Sequence, residues 1–294
     1  MGIGETIEET PMPRAATIIF WLASVCVAAG EFNEAPQVRA TLVADVRGIV
    51  PGGTFRLGVL LDVEEGWHVY WRNPGDAGLS TDVGLQLPEG FTAGPLQWPV
   101  PKVFKQPGDL VGYGYEGSVL HWVTVTAPEK LPVGSALTFG AQASWLACKD
   151  VCVPDGGPLE LVLPVTGAAE PANRKLFASW EARLPVRPAA ALELTSVTVT
   201  GGIQAGGKAG AFEIDAVWRA PVAGVAWCPA AGESVGVEKI VVTHGDERSR
   251  IRFRSLLLGD GGGRILESVL LYTGRDGRPR GVSIPIRLRP SDGP

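Results

Sequence analysis

The stretch that decides the fold is TFRLGVLLDV, residues 54–63, read together with SVLHWVTVTA (118–127) and ALTFGAQASWLAC (136–148). In each, apolar residues recur at every second position with β-branched and aromatic side chains among them, the period of a half-buried strand. Working outward, ATLVADV (40–46), GWHVYW (66–71) and LELVLPV (159–165) repeat the pattern at roughly ten-residue spacing, with turn residues between. Short alternating strands at that spacing predict an immunoglobulin-like β-sandwich over residues 36–167. Residues 171–185 read differently. Leu176, Phe177, Trp180 and Leu184 recur at helical spacing between Pro171 and Pro185, which predicts one helix in a linker of residues 168–188. Strand patterns then resume in LELTSVTVT (192–200), AFEIDAVWRA (211–220), EKIVVTHG (238–245), RIRFRSLLLG (250–259), RILESVLLYT (264–273) and GVSIPIRLR (281–289). A glycine-rich hairpin signal lies at residues 259–263. The expected architecture is all-β: two β-sandwich, immunoglobulin-like lobes joined by a short helix, the second lobe spanning residues 189–291.

Composition agrees. The 294 residues include 39 Gly and 24 Pro, so turns are frequent and helices few, while 45% hydrophobic residues exclude a disordered chain. The formal charge of −5, with no basic block, argues against nucleic acid as a partner. Residues 1–29 read as a secretory signal: Arg14 precedes an apolar run of about 16 residues, short of the ~20 a membrane span needs, that ends in small residues suited to cleavage after Ala29. Glu5, Glu8 and Glu9 suit an n-region poorly, so a start at Met12 is expected; a lipid anchor through Cys26 is disfavoured by the bulky Val25 before it.

Removing the signal leaves Cys148, Cys152 and Cys228. In an exported chain this count suggests one disulfide and one free thiol. Along an extended strand Cys148 and Cys152 would lie ~13 Å apart, beyond the ~7 Å reach of a bridge, so if they pair the chain turns at Lys149, Asp150 and Val151. Such a turn makes them cross-strand neighbours at a hairpin tip, open to attack by another thiolate. Three readings stay open at this point: a redox pair, a structural staple and a metal site. A loop so short stabilises by only ~2 kcal/mol, which weakens the staple. Metal binding has only His68, His121 and His244, far apart in sequence, to complete a ligand set.

The other constellations have plain readings. Trp67, Tyr70 and Trp71 alternate as core aromatics. Asn73, Pro74, Gly75 and Asp76 form a turn by composition. The run from Gly112 to Gly117 formally matches G-x-G-x-x-G, but a strand pattern follows where a dinucleotide site needs a helix, so no nucleotide cofactor is expected. Cys228, flanked by Val225, Ala226 and Trp227, reads as a buried, unreactive thiol. No hydrolase motif is present.

Four ordered segments, GWHVYWRNPGDAGLS (66–80), WPVP (98–101), GYGYEG (112–117) and WLACKDVCVP (145–154), resemble the periplasmic N-terminal region of the DsbD/ScsB protein-disulfide reductase family. The resemblance covers residues 40–165, and the second lobe is similar, less distinctly, to the longer ScsB-type region. It implies that Cys148 and Cys152 are the redox pair, in the ScsB-type C-x3-C spacing, with Cys152 the attacking sulfur. It also implies that Tyr113 and Tyr115 lie near a loop capping the pair; the residues alone read equally as a tight turn with two packed aromatics. The implied function is a periplasmic thiol–disulfide interchange module. It would relay reducing equivalents from a membrane thiol transporter of DsbD/CcdA type, known from cytochrome c biogenesis, to thioredoxin-like proteins, without a small-molecule cofactor. Family members continue into a transporter and a C-x-x-C thioredoxin-like domain; the sequence to Pro294 has neither, so partners are expected to supply them. The competing expectation is a non-catalytic cell-envelope binding or scaffold protein with a structural disulfide.

Overall fold

The computed structural model describes residues 1–2, 37–106, 108–204, 207–230, 235–258 and 264–288. The signal reading, Cys26 and the glycine run at 259–263 fall outside the described residues, apart from Met1 and Gly2. From residue 37 onward the chain is built almost wholly of antiparallel strands, with one α-helix among the described residues.

In the first lobe one sheet orders Val38–Ala44, Thr54–Val63, Ser118–Thr126 and the short Thr92–Ala93. The other orders Cys152–Pro164, Ala136–Cys148 and Asp82–Gln86. Alternation works as the sequence requires: Phe55, Leu57, Val59, Leu61 and Val63 are buried, while Thr54 and Asp62 are exposed. In the facing sheet Phe139, Ala141, Ala143, Trp145 and Ala147 are buried at the same period. The Phe139 ring meets Phe55 and Phe91 edge-on at 5.6 and 5.2 Å. Each fully buried side chain of this size contributes roughly 1.5–3 kcal/mol. A third sheet, Val69–Gly75, Leu110–Tyr115 and Lys102–Gln106, stands at the end of the sandwich.

The helix, Arg174–Glu181, buries Phe177 and Trp180, three positions apart and therefore on one face. Phe177 packs edge-on against Trp122, and Arg56 lies over its ring while pairing with Asp45 and Glu181. Pro171 and Pro185, neither of which a helix interior tolerates, lie outside it on either side.

The second lobe faces a sheet of Leu194–Ile203, Ala209–Trp218, Arg248–Leu257 and Val235–His244 with one of Ala223–Pro229, Ser268–Thr273 and Pro279–Ser283. A further pair joins Arg264–Leu266 to Ile286–Leu288. Its core is separate, with Phe253 stacked on Phe212 and touching Trp227. The lobes meet where Ala223–Pro229 lies against Val69–Gly75. Asn73 donates to the Pro229 carbonyl there, and Cys228, Val269 and Leu271 join the core of the first lobe.

The segment Asn73 to Asp76 is drawn into a strand and turns within it. Val69–Gly75 runs through Asn73 and Pro74, yet Tyr70 pairs with Gly114 and Gly75 with Gly112, so the residues between them bulge out. The Gly75 amide donates to Asn73 Oδ1 two residues before it, the local turn contact that the composition suggests, with Gly75 at φ 96°, while the Asn73 side-chain nitrogen donates across to the Pro229 carbonyl of the second lobe.

Candidate functional site

Cys148 ends one strand and Cys152 begins the next, and the two are direct register partners at the tip of the hairpin. Lys149, Asp150 and Val151 make the turn, closed by the Lys149 amide donating to the Val151 carbonyl at 3.0 Å. The sulfurs are bonded, with Cα atoms 4.1 Å apart. Below the turn Gly66 has φ 81°, a backbone conformation that favours glycine, and the end of the Lys149 side chain lies beside it.

The two sulfurs have unequal surroundings. Cys148 is 2% exposed, whereas Cys152 is exposed and Val151 beside it is 64% exposed. The cause is the strand next to Cys148: His68 and Cys148 exchange both backbone hydrogen bonds, at 2.9 Å each, which joins the end sheet to the sandwich. His68, Cys148 and Cys152 thus form one row across three strands, with side chains on a common face. Tyr70, two residues after His68, shares that face. Its hydroxyl lies 3.4 Å from the Cys148 sulfur, and Gln106 donates to the Tyr70 oxygen at 2.8 Å. Phe104, two residues before Gln106, sets its ring 4.8 Å from that of His68. The hairpin of residues 102–115 therefore overhangs the Cys148 side of the pair, leaving the Cys152 side open.

Burial holds His68 below the usual histidine range, with Glu116 opposing the shift. Its Nε2 is buried without a hydrogen-bond partner among the described residues. Among the described residues, no three His, Cys, Asp or Glu side chains are grouped as a metal ion would need, and no helix is long and apolar enough to cross a membrane.

Tyr113 and Tyr115 are both buried on the inner strand of the same hairpin. Their hydroxyls donate to the Trp227 carbonyl at 3.3 Å and the Pro99 carbonyl at 2.8 Å, and burial pushes both phenols well up. The group that reaches the disulfide is instead Tyr70, which the alternation pattern classed with the core. Phe104 and Gln106 carry no local signal of a site, and His68 and Tyr70 lie in the 66–80 segment that carries the family resemblance without being marked within it as site residues. Only the i, i+2 placement of His68 and Tyr70 on one face was readable, and it did not say which strand they join. Cys228 is fully buried where the lobes meet, and burial raises its thiol well above the usual range.

These features match known proteins in part. The family described as "Thiol:disulfide interchange protein DsbD, N-terminal" matches residues 37–164. No curated protein sequence matches the chain. Among solved structures, the N-terminal periplasmic domain of ScsB from Proteus mirabilis is similar over 85% of this chain and 92% of its own, at 16% identity and a TM-score of 0.55, a likeness of fold. The major pilin subunit BcpA of Bacillus cereus aligns over 87% of this chain and 67% of its own, at 11% identity, but its TM-score of 0.29 carries no argument.

Proposed function

Since residues 37–164 belong to the DsbD N-terminal domain family, a family of thiol–disulfide interchange, we propose that this chain is a periplasmic carrier of reducing equivalents. It takes them from a membrane thiol transporter of DsbD/CcdA type and passes them to thioredoxin-like proteins through Cys148 and Cys152. The observation that carries this reading is the unequal exposure of the bonded pair. Exchange requires a thiolate to reach one sulfur and expel the other, and only Cys152 is open to such an approach. The incoming thiolate bonds to Cys152, and the electron pair of the broken bond leaves on Cys148. In the donating direction, the Cys152 thiolate attacks the partner's disulfide, and Cys148 then resolves the mixed disulfide.

In this reading Tyr113 and Tyr115 serve the cap indirectly. Their hydroxyl contacts to Trp227 and Pro99 hold the base of the 102–115 hairpin, whose other strand carries Phe104 and Gln106 over the pair. Exchange needs no cofactor, only two sulfurs and a thiolate.

The test uses a thioredoxin-like protein lacking its resolving cysteine and activated at the other with an aromatic thiol. Cys148→Ser is expected to trap a mixed disulfide through Cys152, and Cys152→Ser to trap far less. The wild-type reduction potential is expected above the ~−300 mV typical of structural bridges. A potential below that value, with no trapped adduct in either variant, would instead establish a scaffold protein with a structural disulfide.

A further inference from the structure

The buried sulfur has a hydrogen-bond donor aimed at it whose own position is fixed from three sides. Tyr70 is 1% exposed, and its hydroxyl is directed at Cys148 Sγ. Gln106 donates to the phenol oxygen, which leaves the phenol proton free for the sulfur. The Tyr70 carbonyl accepts from Thr81 at 2.7 Å, and Gly78, with φ 106°, passes so close to the ring that a side chain there would occupy the same space. A disulfide sulfur is a weak acceptor, whereas a thiolate is a strong one. The donor therefore gains strength as the bond breaks, which is the condition for accelerating a step instead of merely binding its ground state.

We propose that Tyr70, positioned by Gln106, is the catalytic donor that stabilises Cys148 as the leaving thiolate and so directs attack onto Cys152. The assignment rests on the exchange function proposed above and deepens it. The step balances as follows for a dithiol reductant. Its thiolate bonds to Cys152 Sγ, the Cys148–Cys152 bond breaks, and the electron pair stays on Cys148 Sγ under the Tyr70 hydroxyl. The second thiolate of the reductant then attacks its own sulfur in the mixed disulfide, releasing Cys152 as thiolate and leaving the reductant as a cyclic disulfide. Water supplies the two protons that return both cysteines to thiols. Other ionisable groups beside Cys148 are His68 in the paired position and Lys149 and Asp150 in the turn, and all remain in the variants below.

The test reads Cys148 directly. In a Cys152→Ser background, the Cβ chemical shift of Cys148 followed by NMR against pH gives its thiol pKa without a reagent having to reach the buried sulfur. In the otherwise native chain, the rate of reduction by dithiothreitol gives the leaving-group effect. Tyr70→Phe keeps the ring and is expected to raise the Cys148 pKa by about one unit, the worth of one hydrogen bond to a charged group, and to slow reduction about threefold, because the leaving sulfur carries only part of its charge in the transition state. Gln106→Leu, which leaves the hydroxyl in place, is expected to shift both in the same direction by less. An unchanged pKa and rate in a folded Tyr70→Phe variant overturns the assignment. Should that variant fail to fold, an unchanged pKa in Gln106→Leu overturns it equally. Variants that show these shifts, in a chain whose wild type exchanges with no thioredoxin-like protein, would sink the proposed partner relay and leave the role of Tyr70 standing.

Discussion

Reducing the Cys148–Cys152 bond should leave the fold almost intact, and the size of the effect follows from the geometry. The bond closes a loop of sequence separation 4, for which the lost unfolded-state entropy amounts to ~2 kcal/mol. The hairpin does not depend on it for alignment. The register between Ala136–Cys148 and Cys152–Pro164 runs the full length of both strands, the Lys149 to Val151 hydrogen bond closes the turn, and His68 holds Cys148 from the other side. For a protein of this size, ~2 kcal/mol corresponds to a fall in Tm of roughly 4–8 °C. The assay is thermal unfolding followed by circular dichroism, with and without an excess of a phosphine reductant. Chemical reduction is preferable to a double serine variant, because a hydroxyl in place of the buried Cys148 sulfur adds a desolvation cost of ~1–3 kcal/mol unless Tyr70 satisfies it. A fall well beyond 8 °C, or loss of cooperative unfolding on reduction, would refute the reasoning and make the bond a structural element.

Cys228, fully buried with its thiol pKa raised by desolvation, should resist alkylation in the native oxidised protein and react only on unfolding; rapid labelling traced by mass spectrometry would show an opening at the contact between the lobes. His121 is fully buried beside Trp98 and Tyr115, and desolvation lowers it to about 4. The unfolded chain therefore binds the extra proton first as pH falls below about 6.5, so stability should drop between there and pH 4 by about 3 kcal/mol, and His121→Leu should flatten that part of a denaturation-against-pH profile. Gly78→Ala places a β-carbon against the Tyr70 ring at a positive φ and should cost ~1–3 kcal/mol in a denaturant melt; the same stability as wild type would show that the 78–80 segment moves aside freely.

What could be read in the sequence, and what could not, divides by the distance over which the information acts. Strand faces are local: the alternation in Thr54–Val63 and in Ala136–Cys148 predicts which side chains point inward because the pleat alternates them, whatever the partner strand. The turn between the cysteines is local too, since four positions of extended chain cannot be bridged. Burial of Cys228 follows from its apolar neighbours, but its place in the core of the other lobe does not. The chemistry around Cys148 is set by register between strands far apart in the chain. Tyr70 is 78 residues from the sulfur it touches, and Gln106 is 36 residues from Tyr70. A slip of one residue in the pairing of His68 with Cys148 would turn Tyr70 to the opposite face and leave the sulfur without its donor. The cysteines thus announce themselves through spacing, whereas the group proposed to make one of them the better leaving sulfur exists only once the end sheet has docked in register.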